Sequence, residues 1–66
     1  MRKKQVRVHM INKDLPTIEG YKERPMGREF MVRRPKLLVE AQGNPVELES
    51  QLLAIPRENI AFYEIL

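Results

Sequence analysis

The stretch Ala54-Ile55-Pro56-Arg57-Glu58-Asn59-Ile60-Ala61-Phe62-Tyr63-Glu64-Ile65-Leu66 limits the possible folds more than any other part of the chain. Pro56 has no amide hydrogen, and Arg57, Glu58 and Asn59 are turn-competent, so one apolar segment must stop here and another start after a tight corner. Beyond the corner β-branched and aromatic residues dominate. A period of two sets Ile60, Phe62 and Leu66 on one face and Ala61, Tyr63 and Ile65 on the other. Both faces are apolar, which predicts a core under Ile60 and Phe62 and a second subunit against Ala61, Tyr63 and Ile65.

Size strengthens that expectation. Sixty-six residues make one domain, spanning 1–66, and a chain this short buries only about 60% of its unfolded surface, so small folds usually need a staple. There is no cysteine for a disulfide or a thiolate site, and the lone His9 with nine dispersed carboxylates argues against structural zinc. No cofactor is expected, and homo-oligomerisation is left as the stabilising device. No apolar run approaches the roughly 20 residues of a membrane span. The basic start Met1-Arg2-Lys3-Lys4 leads into polar alternation rather than a signal-peptide core, so a soluble, cytoplasmic protein is expected.

The net charge of +3 conceals a division. Residues 1–36 hold eleven Lys/Arg against four acids, a net +7, and residues 37–66 hold one Arg against five Glu, a net −4. The basic half could meet phosphates or the acidic half of a neighbouring copy. A small barrel could also interleave the two halves in space and cancel the division.

In chain order, Gln5-Val6-Arg7-Val8-His9-Met10-Ile11 alternates as a half-buried strand, with Val6, Val8 and Met10 inward and Arg7 and His9 on the wet face. His9 reads as a surface histidine rather than a catalyst. Asn12-Lys13-Asp14-Leu15-Pro16 is a turn. Thr17 to Arg24 is a second strand, bulged or sharply bent at Gly20, and Pro25-Met26-Gly27 is a second turn. Arg28 to Arg33 is a third strand with Phe30 and Val32 in the core. Pro35 interrupts the sheet, which places Arg33-Arg34-Pro35-Lys36 at a kink or rim with exposed cations. Lys36 to Ala41 is again strand-like, followed by a turn at Gln42-Gly43-Asn44-Pro45.

Residues 44–55 decide the fold class. Asn44 as N-cap, Pro45 at the first helical position and Leu48, Leu52 and Ile55 at helical spacing make a short helix possible, while Val46-Glu47-Leu48-Glu49 alternates like a strand. The strand reading gives an all-β fold, a small five-stranded, strongly bent antiparallel barrel. The helix reading gives a small α+β fold with one helix at about 45–55.

This order of elements, with Ile55-Pro56-Arg57-Glu58-Asn59-Ile60-Ala61-Phe62-Tyr63 as its most specific segment, resembles the SH3-like and Sm-like (LSm) small β-barrels, including the small versions carried by bacteriophages. Arg57-Glu58-Asn59 stands where that family usually has an Arg-Gly or Lys-His pair, and no acidic-then-Asn spacing follows Gly20. The resemblance therefore implies ring assembly through the terminal strand more than it implies the family's usual uridine pocket.

Three functions follow. The first is a non-enzymatic module that binds RNA or single-stranded DNA through a basic surface, with Lys3, Lys4, Arg7, Tyr21, Arg33, Arg34 and Lys36 as contacts and a steep salt dependence. The second is a self-assembling structural or adaptor protein with a protein partner, its oligomer interface at Ala61, Tyr63 and Ile65. The third is a small-nucleotide site at a subunit junction, where Arg33 and Arg34 clamp phosphate. An enzyme is not expected: no nucleophile has an assignable base, and there is no glycine-rich phosphate loop or paired-carboxylate spacing.

Overall fold

The structure, a computed structural model, describes residues 4–39 and 43–66. Six strands form one antiparallel sheet: β1 Gln5–Met10, β2 Thr17–Lys22, β3 Glu29–Leu38, β4 Val46–Glu47, β5 Leu52–Pro56 and β6 Ile60–Ile65. The order is β4-β3-β2-β1-β6, with β5 also on β3. No strand crosses between non-neighbouring positions except at the end, where the 3₁₀ turn Arg57–Asn59 carries the chain from β5 back to β1. In a flat sheet β5 and β6 would be four strand spacings apart, about 19 Å, whereas three residues span at most about 10 Å. The sheet must therefore curl, and the corner at Pro56 is what forces it.

Three turns follow from their residues. Asn12 Oδ1 accepts the Asp14 amide at 2.9 Å, and Leu15 N donates to Asn12 O, the local bonding that Asn offers a turn. Between β2 and β3, Glu29 N donates to Met26 O across Gly27, whose φ of +61° costs a glycine nothing. At the last corner Ile11 N donates to Asn59 O, tying the 3₁₀ turn to the end of β1.

The core is built from Val6, Val8, Ile18, Phe30, Val32 and Ile55, with Met10, Leu37, Leu53 and Ile60 packed at its margin. The register explains the selection. Val6 pairs with Gly20 and Val8 with Ile18, Ile18 with Leu37, Phe30 with Ile55 and Val32 with Leu53, and cross-strand partners share a face. Pairing slips between Glu19 and Tyr21, placing the expected irregularity at Gly20.

Several expectations change in the structure. The fold is all-β, but the sheet has six strands and is open, with no ladder joining β5 to β6 among the described residues. The stretches read as strands on either side of Pro35 are one ten-residue strand, because Arg34 takes a left-handed φ of 51° and lets the chain pass Pro35 without ending pairing to β2. On the opposite edge the irregularity is not absorbed. The partner strand divides into β4 on Lys36 and Leu37 and β5 on residues 29–33, and residues 48–51 loop out between them. Residues 45–55 contain no helix, so the strand reading holds in two pieces. Part of the turn expected at 42–45 lies outside the described residues, as does Lys3.

The phase of the last strand is also corrected. Met10 pairs with Ile60 but His9 pairs with Phe62, so Ala61 is an extra residue and the alternation inverts after it. Ile60 lies at the core margin as expected. Phe62 does not: it is 57% exposed, on the outer face with His9, while Tyr63 and Ile65 pair with the buried Val8 and Val6. Tyr63 leans on the Phe30 ring with centroids 4.8 Å apart. Ala61, Tyr63 and Ile65 remain exposed because, among the described residues, β6 pairs only with β1. No helix among the described residues is long and apolar enough to cross a membrane.

Candidate nucleic-acid interface

On the outer face of the sheet the register sets several of the cations opposite carboxylates. One row of cross-strand partners runs Glu64, Arg7, Glu19, Lys36, Glu47, alternating in sign across β6, β1, β2, β3 and β4. Arg7 donates through Nε and Nη2 to Glu19 Oε2 at 3.1 and 3.0 Å, and Lys36 Nζ lies 3.7 Å from Glu47 Oε1. Arg33 donates from Nε to Glu23 Oε1 at 2.9 Å. His9 Nε2 is 2.6 Å from Glu64 Oε1, and its ring stacks on Phe62 at 4.3 Å and 18°. Each exposed pair contributes at most about 1 kcal/mol. Their larger effect is on the field: Arg7, Arg33 and Lys36, expected as phosphate contacts, are already opposite carboxylates.

At one place both middle strands depart from regular pairing. The slip at Gly20 in β2 faces the Arg34-Pro35 irregularity in β3, and the looped segment 48–51 lies alongside. Two backbone bonds fix this segment, from Arg34 N to Gln51 O at 2.9 Å and from Leu48 N to Pro35 O at 3.3 Å. Pro35 is buried and contributes no amide of its own. The result is a cleft of about 400 Å³, within the usual range for a ligand site. Gly20 and Pro35 contribute to its lining, with Gln5, Tyr21, Arg34, Ser50 and Gln51 as the polar and aromatic groups and Lys36, Glu19 and Glu47 as charged ones.

Of the residues expected to contact nucleic acid, Tyr21, Arg34 and Lys36 are brought together in this cleft. Arg7 and Arg33 do not line it, and Lys4 is exposed outside it. Within the cleft Lys36 is paired with Glu47, so Arg34 is the cation whose guanidinium has no side-chain partner among the described residues. Its backbone is strained, since a left-handed φ costs a non-glycine residue about 1–2 kcal/mol. Gln5, Ser50 and Gln51 were missed from the sequence, where residues 44–51 showed only a choice between helix and strand. Ser50 and Gln51 owe their placement to the looped segment, which exists because the opposite strand is irregular at Arg34, and Gln5 comes from β1, opposite Tyr21.

No family model, curated protein or solved structure matches the chain.

What the cleft offers chemically is therefore what its own groups offer. Tyr21 presents a partly exposed ring for stacking, Arg34 a forked donor for one phosphate, and the two Gln and Ser50 neutral hydrogen-bonding groups for a base edge. Among the described residues no three His, Asp or Glu gather as a metal-binding group.

Proposed function

We propose that this chain is a non-enzymatic module that assembles with copies of itself and binds single-stranded nucleic acid, RNA or DNA, in the cleft between Gly20 and Arg34. The observation that carries the proposal is the meeting in one cleft of Tyr21 and Arg34, a cation with no side-chain partner among the described residues, on a face where Arg7, Arg33 and Lys36 each meet a Glu. Stacking on an aromatic ring contributes about 1–3 kcal/mol per base and tolerates any sequence. One Arg adds one phosphate contact, so a single copy holds one or two nucleotides weakly. Assembly multiplies the site along a strand.

An Sm-like architecture belongs to the same proposal. It is supported by the single-turn corner at Arg57–Asn59 and by the return of β6 to β1. Assembly through Ala61, Tyr63 and Ile65 is supported by the free edge of β6 and by the exposure of Ile65. Ile65→Glu tests it better than Tyr63→Glu, because Tyr63 also packs on Phe30. The expected result is a folded monomer by light scattering, since an unpaired charge in a subunit contact is strongly unfavourable. A variant with the wild-type oligomer mass would remove Ile65 from the interface.

The binding test is fluorescence anisotropy of a labelled oligouridylate and an oligothymidylate. Tyr21→Ala is expected to weaken both about tenfold. Arg34→Gly deletes the guanidinium while relieving the backbone, so the fold is retained and any loss reports the phosphate contact. Salt dependence per copy should be shallow, about 0.7 in log affinity per log unit of salt for one phosphate on a single strand, rather than the steep dependence the sequence suggests. Wild-type affinity in both variants would refute the site.

A further inference from the structure

A second cleft lies at the corner between β5 and β6, with a volume of about 290 Å³. Phe30, Tyr63, Phe62 and Ala61 form its apolar lining, and Lys22 and Arg57 are its charged groups. The two clefts share no lining residue. Lys22 is turned toward the core-facing side by its pairing with Val32, and its Nζ sits 5.9 Å from the Phe30 ring centroid. The tilted Phe30–Tyr63 pair makes one aromatic wall, and Ala61, the extra residue of the β6 bulge, lines the cleft beside it.

The charge of this cleft has no internal answer. No carboxylate lines it among the described residues, and neither Lys22 nor Arg57 has a carboxylate partner there. This differs from the outer face, where Arg7, Arg33 and Lys36 each meet a Glu. Two cations beside the exposed Tyr63 ring, with no acid among the described lining residues, are matched by a ligand that carries its own negative charge on a flat apolar body. The volume is at the small end for ligand sites, which suits one ring with one anionic group.

We propose that the corner cleft binds a small aromatic anion, with its ring against Tyr63 and its anionic group between Lys22 and Arg57. Recognition combines ring contact with charge, so an anion without a ring and a ring without a charge both bind worse than the molecule that has both. The aryl phosphate and aryl carboxylate classes share this chemistry. The site does not depend on the nucleic-acid cleft, because Tyr21 and Arg34 take no part in it; it shares Ala61 and Tyr63 with the proposed contact between copies, so ligand binding and assembly compete for that surface.

The test is an amide-shift titration of the whole chain with phenyl phosphate and, separately, benzoate, with inorganic phosphate and phenol as comparisons. The expected result is saturable shifts at Lys22, Arg57, Ala61, Phe62 and Tyr63 with at least one aromatic anion at millimolar concentration. Lys22→Met and Arg57→Gln should each weaken binding about tenfold. Tyr21→Ala should leave it unchanged, which separates this site from the nucleic-acid reading. Binding by inorganic phosphate as tight as by phenyl phosphate, unchanged affinity in both cation variants, or no shifts at these residues with either anion would each overturn the proposal.

Discussion

Phe30→Ala is expected to abolish cooperative thermal unfolding. Phe30 is 4% exposed, pairs with Ile55 and carries the Tyr63 ring on its edge, so it joins β3, β5 and β6. Removing a buried Phe side chain costs about 3–5 kcal/mol, through lost transfer energy and a cavity that the rigid β3 and β5 ladders cannot close. A domain of this size holds little more than about 5 kcal/mol in total. Phe62→Ala is the internal control. Its ring lies outside the sheet against His9, and its loss is expected to cost about 1 kcal/mol, the scale of an exposed aromatic contact. Circular dichroism melts of the two variants check both statements. If Phe62→Ala were the more damaging change, the phase assigned to β6 would be wrong.

Gly20→Ala is expected to be nearly as severe, although it adds a single methyl group. A Cβ at this position would lie 2.5 Å from Val32 Cγ1 and 2.8 Å from the Arg33 carbonyl oxygen. Val32 is fully buried and cannot turn away, and the Arg33 carbonyl is part of the backbone of β3. Relief therefore requires β2 and β3 to separate where the pairing slips. Overpacking of this kind typically costs 1–3 kcal/mol, and the backbone clash places Gly20→Ala at about 3 kcal/mol. The same change distorts the nucleic-acid cleft, since Gly20 lines it. Gly27→Ala is the contrasting case: nothing lies within 4 Å of its Cβ position, so the cost there comes only from a φ of +61°. Chemical denaturation midpoints for Gly20→Ala and Gly27→Ala distinguish crowding from backbone strain. A Gly20→Ala midpoint equal to the wild type would show that β2 and β3 are not in the contact described.

The parts of the fold that could be read from sequence are those set by local chemistry. The alternation of Val6, Val8 and Met10, the Asn12 turn, the bend at Gly20 and the corner after Pro56 each depend on a few adjacent residues, and each is found where expected. The errors come from what two strands do to one another. The inverted face of Phe62 results from Ala61 being unmatched opposite β1, which no period-two count within residues 60–66 can reveal. The continuity of β3 through Pro35 depends on Arg34 accepting a left-handed conformation that its side chain disfavours. The split of residues 44–55 into β4 and β5 follows from that irregularity across the edge.

The candidate site shows the same division. Tyr21, Arg34 and Lys36 could be named from residue type and from the rim position that Pro35 suggests, and all three line the cleft. Arg7 and Arg33 could not be excluded, because their neutralising partners, Glu19 in β2 and Glu23 just beyond it, stand twelve and ten residues away in the chain. Gln51 could not be included, because its place beside Arg34 rests on a backbone bond made by a loop. Charge counted along a chain reports composition. Charge on a sheet depends on register, and here the register alternates the signs.

Amide-shift mapping with a short oligouridylate tests the central claim most directly. The account predicts saturable changes at Gln5, Tyr21, Arg34, Ser50 and Gln51, residues brought to one cleft by the paired irregularities in β2 and β3. Absence of any change at saturating oligonucleotide, or changes confined to the exposed cations Arg24 and Arg28 of the β2–β3 turn with Tyr21 and Arg34 unmoved, would contradict it.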